Sequence, residues 1–265
     1  MGCRLTPMSD AVLFERRGAV GEIVLNRPDG RNSMTPELLG AFAEASAEAR
    51  DDGGLRCLIV RGEGRCFSAG ADLKANLQTG GGLPHERSYA MYAPFLSLND
   101  VEVPIVGALN GHAVGGGFGL ALTCDIRIGK KDAKYGANFA RLGFGSGMAI
   151  SYVLPRLVGV SRAAELLFTG RLIDGEEAAS IGLLSEAVDG DEVLPKARAL
   201  ADEIAKSAPL AVRAIKRAMR TNLDWDPKPA ARYEAALQAD TLTTEDAREG
   251  MAALLEKRDP DFHGK

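Results

Sequence analysis

Two glycine-rich turns hold the residues whose types and spacing point most directly to chemistry. The first spans residues 64–73 (GRCFSAGADL) and the second spans residues 110–120 (NGHAVGGGFGL). Each follows a predicted buried strand, and the second leads into a helix-like run. Glycine lets another group approach the backbone closely, and the first N–H groups of a helix have no partner within it. Such turns suit an anion or an oxygen on which negative charge develops, although tight helix packing would require the same glycines.

The spacing within these turns disfavours three familiar uses of glycine. A dinucleotide-binding fingerprint needs Gly-x-Gly-x-x-Gly, but counting from Gly115 puts Leu120 at the third glycine position. A P-loop needs a Gly-Lys-Ser/Thr step, which does not occur in the chain. The nucleophile elbow of serine hydrolases needs a glycine two residues before the serine, and neither Ser68 nor Ser146 has one. Binding of NAD, hydrolysis of nucleoside triphosphates and serine hydrolysis therefore lose support.

The composition is that of an ordinary soluble globular protein. Of 265 residues, 46% are hydrophobic and 26% are charged, and the formal net charge of −4 argues against a general nucleic-acid binder. The four cysteines form no CxxC pair and the three histidines are far apart, so we expect neither a metal site nor a disulfide framework. Reduced thiols favour a cytoplasmic protein. Six glycines interrupt the most apolar window, residues 105–122, which is a poor candidate for a membrane span.

The elements around the turns predict an α/β core followed by a helical tail. Residues 12–16 and 22–26 predict an N-terminal hairpin, and Thr35-Pro36-Glu37 is a typical helix start. Short apolar runs at 56–61 and 104–109 predict buried strands. Four helices are predicted after Asp191, at residues 191–206, 209–223, 229–240 and 243–257. The glycine-rich segment 78–84 is a candidate lid, or a plain surface connection.

Several segments share the order and spacing of one known family. They are VLNRP at 24–28 with Arg31-Asn32, FSAGADL at 67–73, residues 104–119 with Cys124-Asp125, LPRLVG at 154–159, LFTGR at 167–171 with residues 178–183, and residues 248–258. On these segments the chain resembles the enoyl-CoA hydratase/isomerase (crotonase) family over nearly its whole length.

The resemblance implies an architecture and a ligand. The expected fold is an α/β spiral of ββα units with a C-terminal helical trimerisation region, assembled as a homotrimer or a dimer of trimers. We divide the chain into a flexible extension (residues 1–10), the spiral core (11–200) and the helical oligomerisation region (201–265). The expected ligand is a coenzyme A thioester, which is a substrate rather than a resident prosthetic group.

The resemblance also implies an oxyanion hole made of two backbone N–H groups, those of Ala71 and Gly116. This agrees with the independent interpretation of the two glycine turns. Two amides aimed at a thioester oxygen would stabilise an enolate-like oxyanion, and loss of one such donor typically raises the barrier by about 2.7–4 kcal/mol. The residues implied to contact the substrate are Ser68, Ala69, Asp72, Leu73, Gly117 and Phe139.

The chain departs from the family pattern at three catalytic positions. Hydratases of this family carry one glutamate after the glycine turn and a second twenty positions later, and these positions fall on Gly119 and Phe139. The position of an aspartate in dienoyl-CoA isomerases and chlorobenzoyl-CoA dehalogenases falls on Gly147. None of these residues can move a proton, although general acid–base catalysis usually contributes about 10²–10⁴-fold. Phe139 is expected to be a pocket wall or an ordinary core residue.

Three other residues are candidate acids or bases. Tyr92 aligns with a pocket-facing histidine of the dehalogenase branch, and a phenol that ordinarily titrates near pH 10 suits a proton donor better than a base. His85 and Glu86 open the same predicted helix. His112 precedes the oxyanion turn and is expected to support the groups of the site or to be structural, and Asp125 is expected to fix the backbone turn after the helix that follows the second glycine turn.

Two functions therefore remain open. The first is an acyl-CoA-processing enzyme of the hydratase/isomerase type, which stabilises a thioester enolate with non-standard acid and base residues. The second is a catalytically degenerate protein that binds acyl-CoA for a partner. Neither interpretation requires nucleic acid or a membrane.

Overall fold

The computed structural model describes residues 9–72 and 83–265. Its strands are β1 Val12–Arg17, β2 Val20–Leu25, β3 Cys57–Gly62, β4 Cys66–Ser68, β5 Ile105–Leu109, β6 His112–Val114, β7 Ile126–Lys130, β8 Tyr135–Gly136 and β9 Glu186–Val188. Its helices are α1 Pro36–Asp51, α2 Pro84–Leu96, α3 Gly116–Thr123, α4 Ile150–Val158, α5 Val160–Thr169, α6 Gly175–Ser180, α7 Val193–Ala205, α8 Pro209–Thr221, α9 Pro227–Leu242 and α10 Glu245–Glu256. Leu73, the candidate lid up to residue 82 and the first eight residues of the predicted extension lie outside the described residues.

A six-stranded sheet in the order β1-β2-β3-β5-β7-β9 forms the centre of the fold. The hairpin strands β1 and β2 are antiparallel, and every later neighbour pairs in parallel. Alternate residues of β3 face two different cores. Leu58 and Val60 pack with the aromatic residues beneath α1, whereas Cys57 and Ile59 pack under α7. This burial on both faces explains the continuous apolar run of the strand.

The chain builds a second, smaller sheet by repeating one unit. After β3, β5 and β7 each leave the large sheet, the chain adds a short strand to a parallel three-stranded sheet, β4-β6-β8. In the complete central unit, β5 and β6 are followed at once by α3. This strand–strand–helix repeat matches the predicted α/β spiral of ββα units.

Local sequence signals explain the first elements. Thr35 Oγ1 accepts the Leu38 N–H at 3.3 Å, and Pro36 occupies the first helical position, where its missing N–H costs nothing. The predicted hairpin, the predicted strands near residues 56–61 and 104–109, and the four predicted C-terminal helices are all present within a few residues of the expected bounds.

An ion pair between a buried lysine and a partly exposed aspartate attaches the helical tail to the core. Lys216 on α8 is 8% exposed, and its Nζ lies 2.8 Å from Asp125 Oδ2 and 2.5 Å from the Val103 carbonyl oxygen. Arg220 reaches the other oxygen of Asp125 at 3.0 Å. Burial lowers the pKa of the Lys216 ammonium, and the neighbouring Asp125 carboxylate opposes this shift. Asp125 also accepts the Ile105 N–H at 2.8 Å, so its carboxylate fixes the start of β5, whereas a role in the turn after α3 was expected from the sequence.

Candidate active site

The three-stranded sheet brings three turns to one edge. Its strands run parallel, so the chain leaves all of them in the same direction, at Ser68, Val114 and Gly136. Residues 69–72 follow the first strand, Gly115 and α3 follow the second, and residues 137–142 follow the third. Both predicted glycine turns and Phe139 therefore meet at this edge.

The two glycine turns pack directly against each other. A Cβ atom on Gly70 would lie 2.5 Å from the Val114 carbonyl oxygen and 3.0 Å from the Gly116 nitrogen. A Cβ atom on Gly117 would overlap the Ser68 carbonyl oxygen. Gly70 also has a φ of +82°, which residues with a side chain rarely adopt. Glycine is therefore required here for close approach of two backbones, and the approach places the Ala71 and Gly116 segments side by side.

The amides of Ala71 and Gly116 share one feature. In the part of the chain that the structure describes, neither N–H donates a hydrogen bond to another protein group. Gly116 is the first residue of α3, where the helix offers its N–H no carbonyl partner and the helix dipole favours negative charge. Ala71 is half-buried and forms an isolated parallel bridge with Met34, in which the Met34 N–H donates to Gly70 at 2.8 Å. Two polar donors thus remain available beside the same edge.

A fully buried asparagine holds the first turn in place. Asn32 Oδ1 accepts the Arg27 N–H at 2.8 Å, and Nδ2 donates to the carbonyl oxygens of Glu63 at 3.0 Å and Cys66 at 2.8 Å. Its own carbonyl accepts the Ser68 hydroxyl at 2.8 Å. The backbone of Asn32 has a φ of +50°, a conformation that asparagine tolerates better than most residues. Asn32 therefore fixes both the approach to β4 and the turn that follows it.

Methionine fills the space beside Gly119, the position at which the resemblance places the first glutamate. A Cβ atom on Gly119 would overlap Met148 Cβ and lie 2.9 Å from Met148 Cγ. Met148 is buried, and it and Ala149 both adopt left-handed backbone conformations, with φ values of +56° and +53°. Such conformations cost free energy and persist only where the surrounding structure imposes them. The backbone at 148–149 therefore directs an apolar side chain to this place.

Tyrosine fills the space beside Gly147, the position of the family's aspartate. A Cβ atom on Gly147 would lie 2.6 Å from the Tyr92 hydroxyl oxygen and 2.8 Å from the carbon that bears it. Tyr92 is half-buried on α2 and packs against the main core. The Tyr92 ring fits here only because residue 147 has no side chain. Its hydroxyl therefore occupies the space that a carboxylate side chain at residue 147 would take.

Phe139 lies next to the second glycine turn. Its ring is 3.6 Å from the place of a Cβ on Gly115, and Asn138 Oδ1 is 3.8 Å from the same place. Phe139 is half-buried and packs against the core, so the position of the second glutamate carries an apolar side chain. Met34 is fully buried, and its sulfur lies 2.2 Å from the position that a Cβ atom on Gly116 would take. No local pattern in the sequence indicates that Met34, Asn138 and Met148 belong to this site, because long-range packing alone brings them there.

The remaining predicted side chains have other roles or lie at the surface. Glu86 is exposed, and its carboxylate accepts the Leu83 N–H at 3.0 Å, which caps the start of α2. His85 is exposed beside it. His112 Nδ1 accepts the Lys134 N–H at 2.8 Å, in agreement with the structural role expected for it. Whether His85 or Glu86 takes part in chemistry stays a prediction.

The predicted substrate-contacting residues line the start of the first turn. Ser68 is fully buried, and its hydroxyl accepts the Gly70 N–H at 3.3 Å while it donates to Asn32. Ala69 and Asp72 are half-buried, and Gly117 is buried against Ser68. The Ser68 side chain is thus occupied within the protein, so Ser68 would offer a ligand its backbone rather than its hydroxyl.

The described cysteines are poor nucleophiles. Cys57 and Cys124 are buried, and burial raises the pKa of each thiol to about 12. Burial also raises the pKa of Cys66. Because only the thiolate form acts as a nucleophile or a metal ligand, these thiols are unreactive at neutral pH. Within residues 9–72 and 83–265, no cluster of three or more histidine, cysteine, aspartate or glutamate side chains could hold a metal ion.

Comparison with known proteins gives consistent matches over nearly the whole chain. A family model described as enoyl-CoA hydratase/isomerase matches residues 15–265. A protein of Mycobacterium tuberculosis named a probable enoyl-CoA hydratase is 35% identical over 255 residues, which are 96% of this chain and 98% of that protein. The human enoyl-CoA hydratase domain-containing protein 2 is 38% identical over 256 residues, which are 93% of this chain and 86% of that protein.

The solved structures agree with these matches. The crystal structure of an enoyl-CoA hydratase from Bacillus anthracis superposes with a TM-score of 0.92 at 31% sequence identity, and the match covers 96% of this chain and 100% of that chain. The crotonase-type fold predicted from the sequence is therefore confirmed. No helix of the described chain is both long enough and apolar enough to cross a bilayer.

Proposed function

Because the chain belongs to the enoyl-CoA hydratase/isomerase family, we propose that it binds an acyl thioester of coenzyme A and stabilises negative charge on the thioester oxygen. The donors are the N–H groups of Ala71 and Gly116. The carrying observation is that Gly70, the neighbour of Ala71, packs directly against the Gly116 nitrogen, and that neither the Ala71 nor the Gly116 N–H has an acceptor within the described chain. Two donors fixed before the reaction cost no reorganisation when charge develops, and each is worth about 2.7–4 kcal/mol of barrier height.

The remaining contacts belong to the same proposal. The thioester oxygen lies between residues 71 and 116, the acyl group extends toward Phe139, Met148 and Tyr92, and the coenzyme A portion runs past residues 68–72 and Gly117. We expect no resident metal or prosthetic group. The free cysteines of the described chain are compatible with a reducing, cytoplasmic environment.

We also propose assembly into a homotrimer or a dimer of trimers through the helical tail. Large apolar side chains stand exposed on α8 and α10, among them Met219 at 69%, Leu254 at 79% and Leu255 at 83%. Isolated exposed leucines are ordinary, but a concentration of them on one region indicates a surface that a partner covers.

A binding function without turnover is the second candidate. It is favoured by the three positions at which the family carries carboxylates and this chain has Gly119, Phe139 and Gly147. An intact pair of amide donors beside these residues can still hold a thioester. Such a protein would bind acyl-CoA tightly and release it unchanged.

The amide pair is tested by comparing Gly116→Pro with Gly116→Ala. Both variants push against the Met34 side chain, but only proline removes the N–H, and proline is tolerated at the first position of a helix. Turnover is assayed with 2-enoyl-, 3-enoyl- and aryl-CoA thioesters, and binding is followed by thermal shift. A ligand at 100 times its Kd stabilises the fold by about 2.7 kcal/mol.

We expect Gly116→Pro to lose about 10²–10³-fold in kcat, or a comparable share of affinity if the protein only binds, while Gly116→Ala loses much less. Binding with no turnover of any thioester would select the second candidate. Equal losses in both variants would contradict the role of the amide, and no thermal shift with any acyl-CoA would contradict both candidates.

A further inference from the structure

We infer that residues 257–265 form a strap that runs back along α10, closes on the start of that helix and connects it to the core through Arg56. The strap is a conformational device. When it is closed, it fixes the direction in which α10 presents its apolar face, and when it opens, it releases the helix. Its effect on assembly rests on the oligomerisation through the helical tail that is proposed above, whereas its closure is independent of that assembly and of the amide pair.

The chain reverses its direction where α10 ends. Lys257 adopts a left-handed conformation with a φ of +58°, and its N–H donates to the Ala253 carbonyl oxygen. Arg258 then donates to both oxygens of Glu249, at 2.5 and 2.8 Å, and the Asp261 N–H donates to Glu249 at 2.9 Å. These hydrogen bonds lower the pKa of the Glu249 carboxyl to about 2, so the group stays charged at neutral pH. The first part of the strap is therefore held along the last turns of the helix.

The strap closes on the start of α10 through four hydrogen bonds. The two oxygens of Asp246 accept the N–H groups of His263 at 2.7 Å and Gly264 at 2.8 Å. In the opposite direction, the Lys265 carbonyl oxygen accepts the N–H groups of Glu245 at 2.6 Å and Asp246 at 3.2 Å. These two N–H groups have no partner within the helix, and hydrogen bonds to a carboxylate are among the stronger ones. Asp246 is only 3% exposed, so water competes little for the closed strap.

Arg56 connects the closed strap to the core. It directly precedes β3, and its guanidinium donates to the Phe262 carbonyl oxygen of the strap and, at 3.0 Å, to the Ala205 carbonyl oxygen at the end of α7. In the part of the chain that the structure describes, the hydrogen bonds that α10 makes outside itself go only to residues 243–265. The polar connection between α10 and the core therefore passes through the strap and Arg56.

The strap covers one face of α10 and leaves another face free. The Phe262 ring lies 3.4 Å from the place of a Cβ atom on Gly250, which is on the same side of the helix as Asp246. A different face carries the exposed apolar side chains of the helix, Met251, Leu254 and Leu255. A helix without restraint would lose conformational freedom when this face meets a second copy of the chain, whereas the closed strap has already removed that freedom. Closure of the strap should therefore favour assembly.

The test uses two substitutions in the full-length protein, one for the closure and one for the connection. Asp246→Asn weakens the closure, because an amide has one acceptor oxygen instead of two and no charge. Arg56→Gln removes the guanidinium that reaches the strap and leaves the four closing hydrogen bonds in place. The matched controls are Asp240→Asn and Arg17→Gln, which make the same changes at exposed positions outside the strap.

The first readout is amide hydrogen exchange at residues 245, 246, 263 and 264. We expect Asp246→Asn to speed this exchange by about tenfold or more, because the open state becomes more populated when a hydrogen bond to a charged group is lost. Arg56→Gln and both controls should stay within about twofold of the wild type. The amides of β3 and β5 should remain protected in every variant, which shows that the core stays folded.

The second readout is the mass of the particle on dilution, measured by light scattering and native mass spectrometry. We expect both Asp246→Asn and Arg56→Gln to raise the concentration at which the assembly half-dissociates by about tenfold or more, since both release α10. The controls should leave it unchanged. A group that only stabilised α10 locally would change the exchange in Asp246→Asn but would give Arg56→Gln no effect on assembly.

A third variant keeps the closure testable if Asp246→Asn loses protection throughout the core. Gly264 has a φ of +76°, and a Cβ atom on it would lie 3.1 Å from Pro209 Cγ, so Gly264→Ala disturbs the strap from its other side. It should speed exchange at the same four amides.

The outcomes separate this inference from the proposed function. Unchanged exchange at the closing amides in both Asp246→Asn and Gly264→Ala overturns the closure, and unchanged dissociation in Arg56→Gln overturns the connection through Arg56. A wild type that is monomeric at every concentration overturns the proposed assembly and the strap's effect on it, whereas faster exchange in Asp246→Asn would still support the closure. The acyl-CoA thermal shift tests the amide pair separately.

Discussion

Replacement of Asn32 by alanine should destabilise the protein by about 3 kcal/mol. The side chain is fully buried and makes three hydrogen bonds, to the Arg27 N–H and to the carbonyl oxygens of Glu63 and Cys66. Alanine removes the partner of these three backbone groups, one of them in a buried bond and two in part-buried bonds, at about 1 kcal/mol for each. The φ of +50° adds to the cost, because alanine adopts the left-handed region less readily than asparagine does.

The measurement is chemical and thermal unfolding at one fixed protein concentration, since any oligomer makes the midpoint depend on concentration. At roughly 2–4 °C per kcal/mol for a chain near this size, the midpoint should fall by about 6–12 °C. The matched control is Asn26→Ala, which removes a single hydrogen bond to the Asp10 carbonyl oxygen at 2.8 Å on the surface and should cost less than about 1 kcal/mol.

Asn32→Ala should also weaken acyl-CoA binding more than Asn26→Ala does, because Asn32 holds the turn that presents Ala71. If Asn32→Ala unfolds within 1 kcal/mol of the wild type, the assignment of Asn32 as the anchor of the first turn is wrong. Normal stability combined with a large loss of acyl-CoA binding would instead give Asn32 a role in contact with the ligand.

Two further predictions concern buried charged groups. Asp125→Asn should destabilise the docking of α8 by about 1–2 kcal/mol, because the nearly buried ammonium of Lys216 loses its carboxylate and keeps only the Val103 carbonyl oxygen, while the exposure of Asp125 reduces the cost. Hydrogen exchange of the α8 amides measures this loss, and Glu102→Gln, which breaks an exposed pair to the same helix, should change the exchange by less than about 0.5 kcal/mol. Glu22→Gln addresses a carboxylate that is 2% exposed and paired with two arginines. Burial acts to raise the pKa of Glu22, but the arginine hydrogen bonds and charges outweigh it and hold the pKa below the ordinary value. The stability from this carboxylate is therefore complete above about pH 4.5 and is lost as the pH falls through the lower pKa of the folded state. Urea midpoints of the wild type and Glu22→Gln should differ at pH 7, and the difference should shrink as the pH falls from about 4.5 through the lowered pKa of Glu22, whereas exposed Glu15→Gln should follow the wild type at every pH. A Glu22→Gln difference that persists unchanged at low pH would contradict the pairing.

Much of the fold could be predicted from the sequence where a local signal was strong. Thr35-Pro36 marks a helix start through capping and the fixed φ of proline, and the apolar run of β3 reflects burial on both faces. The three-stranded sheet was not predicted, because β4, β6 and β8 have three residues or fewer and cannot show a period of two. The strand pairing that brings the turns to one edge is a long-range property for the same reason.

The site could be predicted only in part. The glycine turns have a local signature, since a close backbone approach excludes side chains, and both turns meet as expected. The side chains that fill the space beside Gly119 and Gly147 have no local signature in the sequence. Met148 reaches the first through two successive left-handed residues, and Tyr92 reaches the second from another helix. From the sequence, a glycine at a catalytic position indicated only that a side chain was missing. The structure shows that the space of that side chain is filled by Met148 beside Gly119 and by Tyr92 beside Gly147.

This filling constrains how the protein can change. A glutamate introduced at residue 119 would meet the β-carbon of Met148, an atom that no choice of rotamer can move aside, and an aspartate at 147 would meet the Tyr92 ring. Each return to a carboxylate therefore requires a second, accommodating substitution made at the same time, and either single substitution would be harmful alone. An arrangement with acidic residues at 119 and 147 is therefore not reachable by single mutations, and pairs such as 119 with 148 should vary together among proteins that share this site.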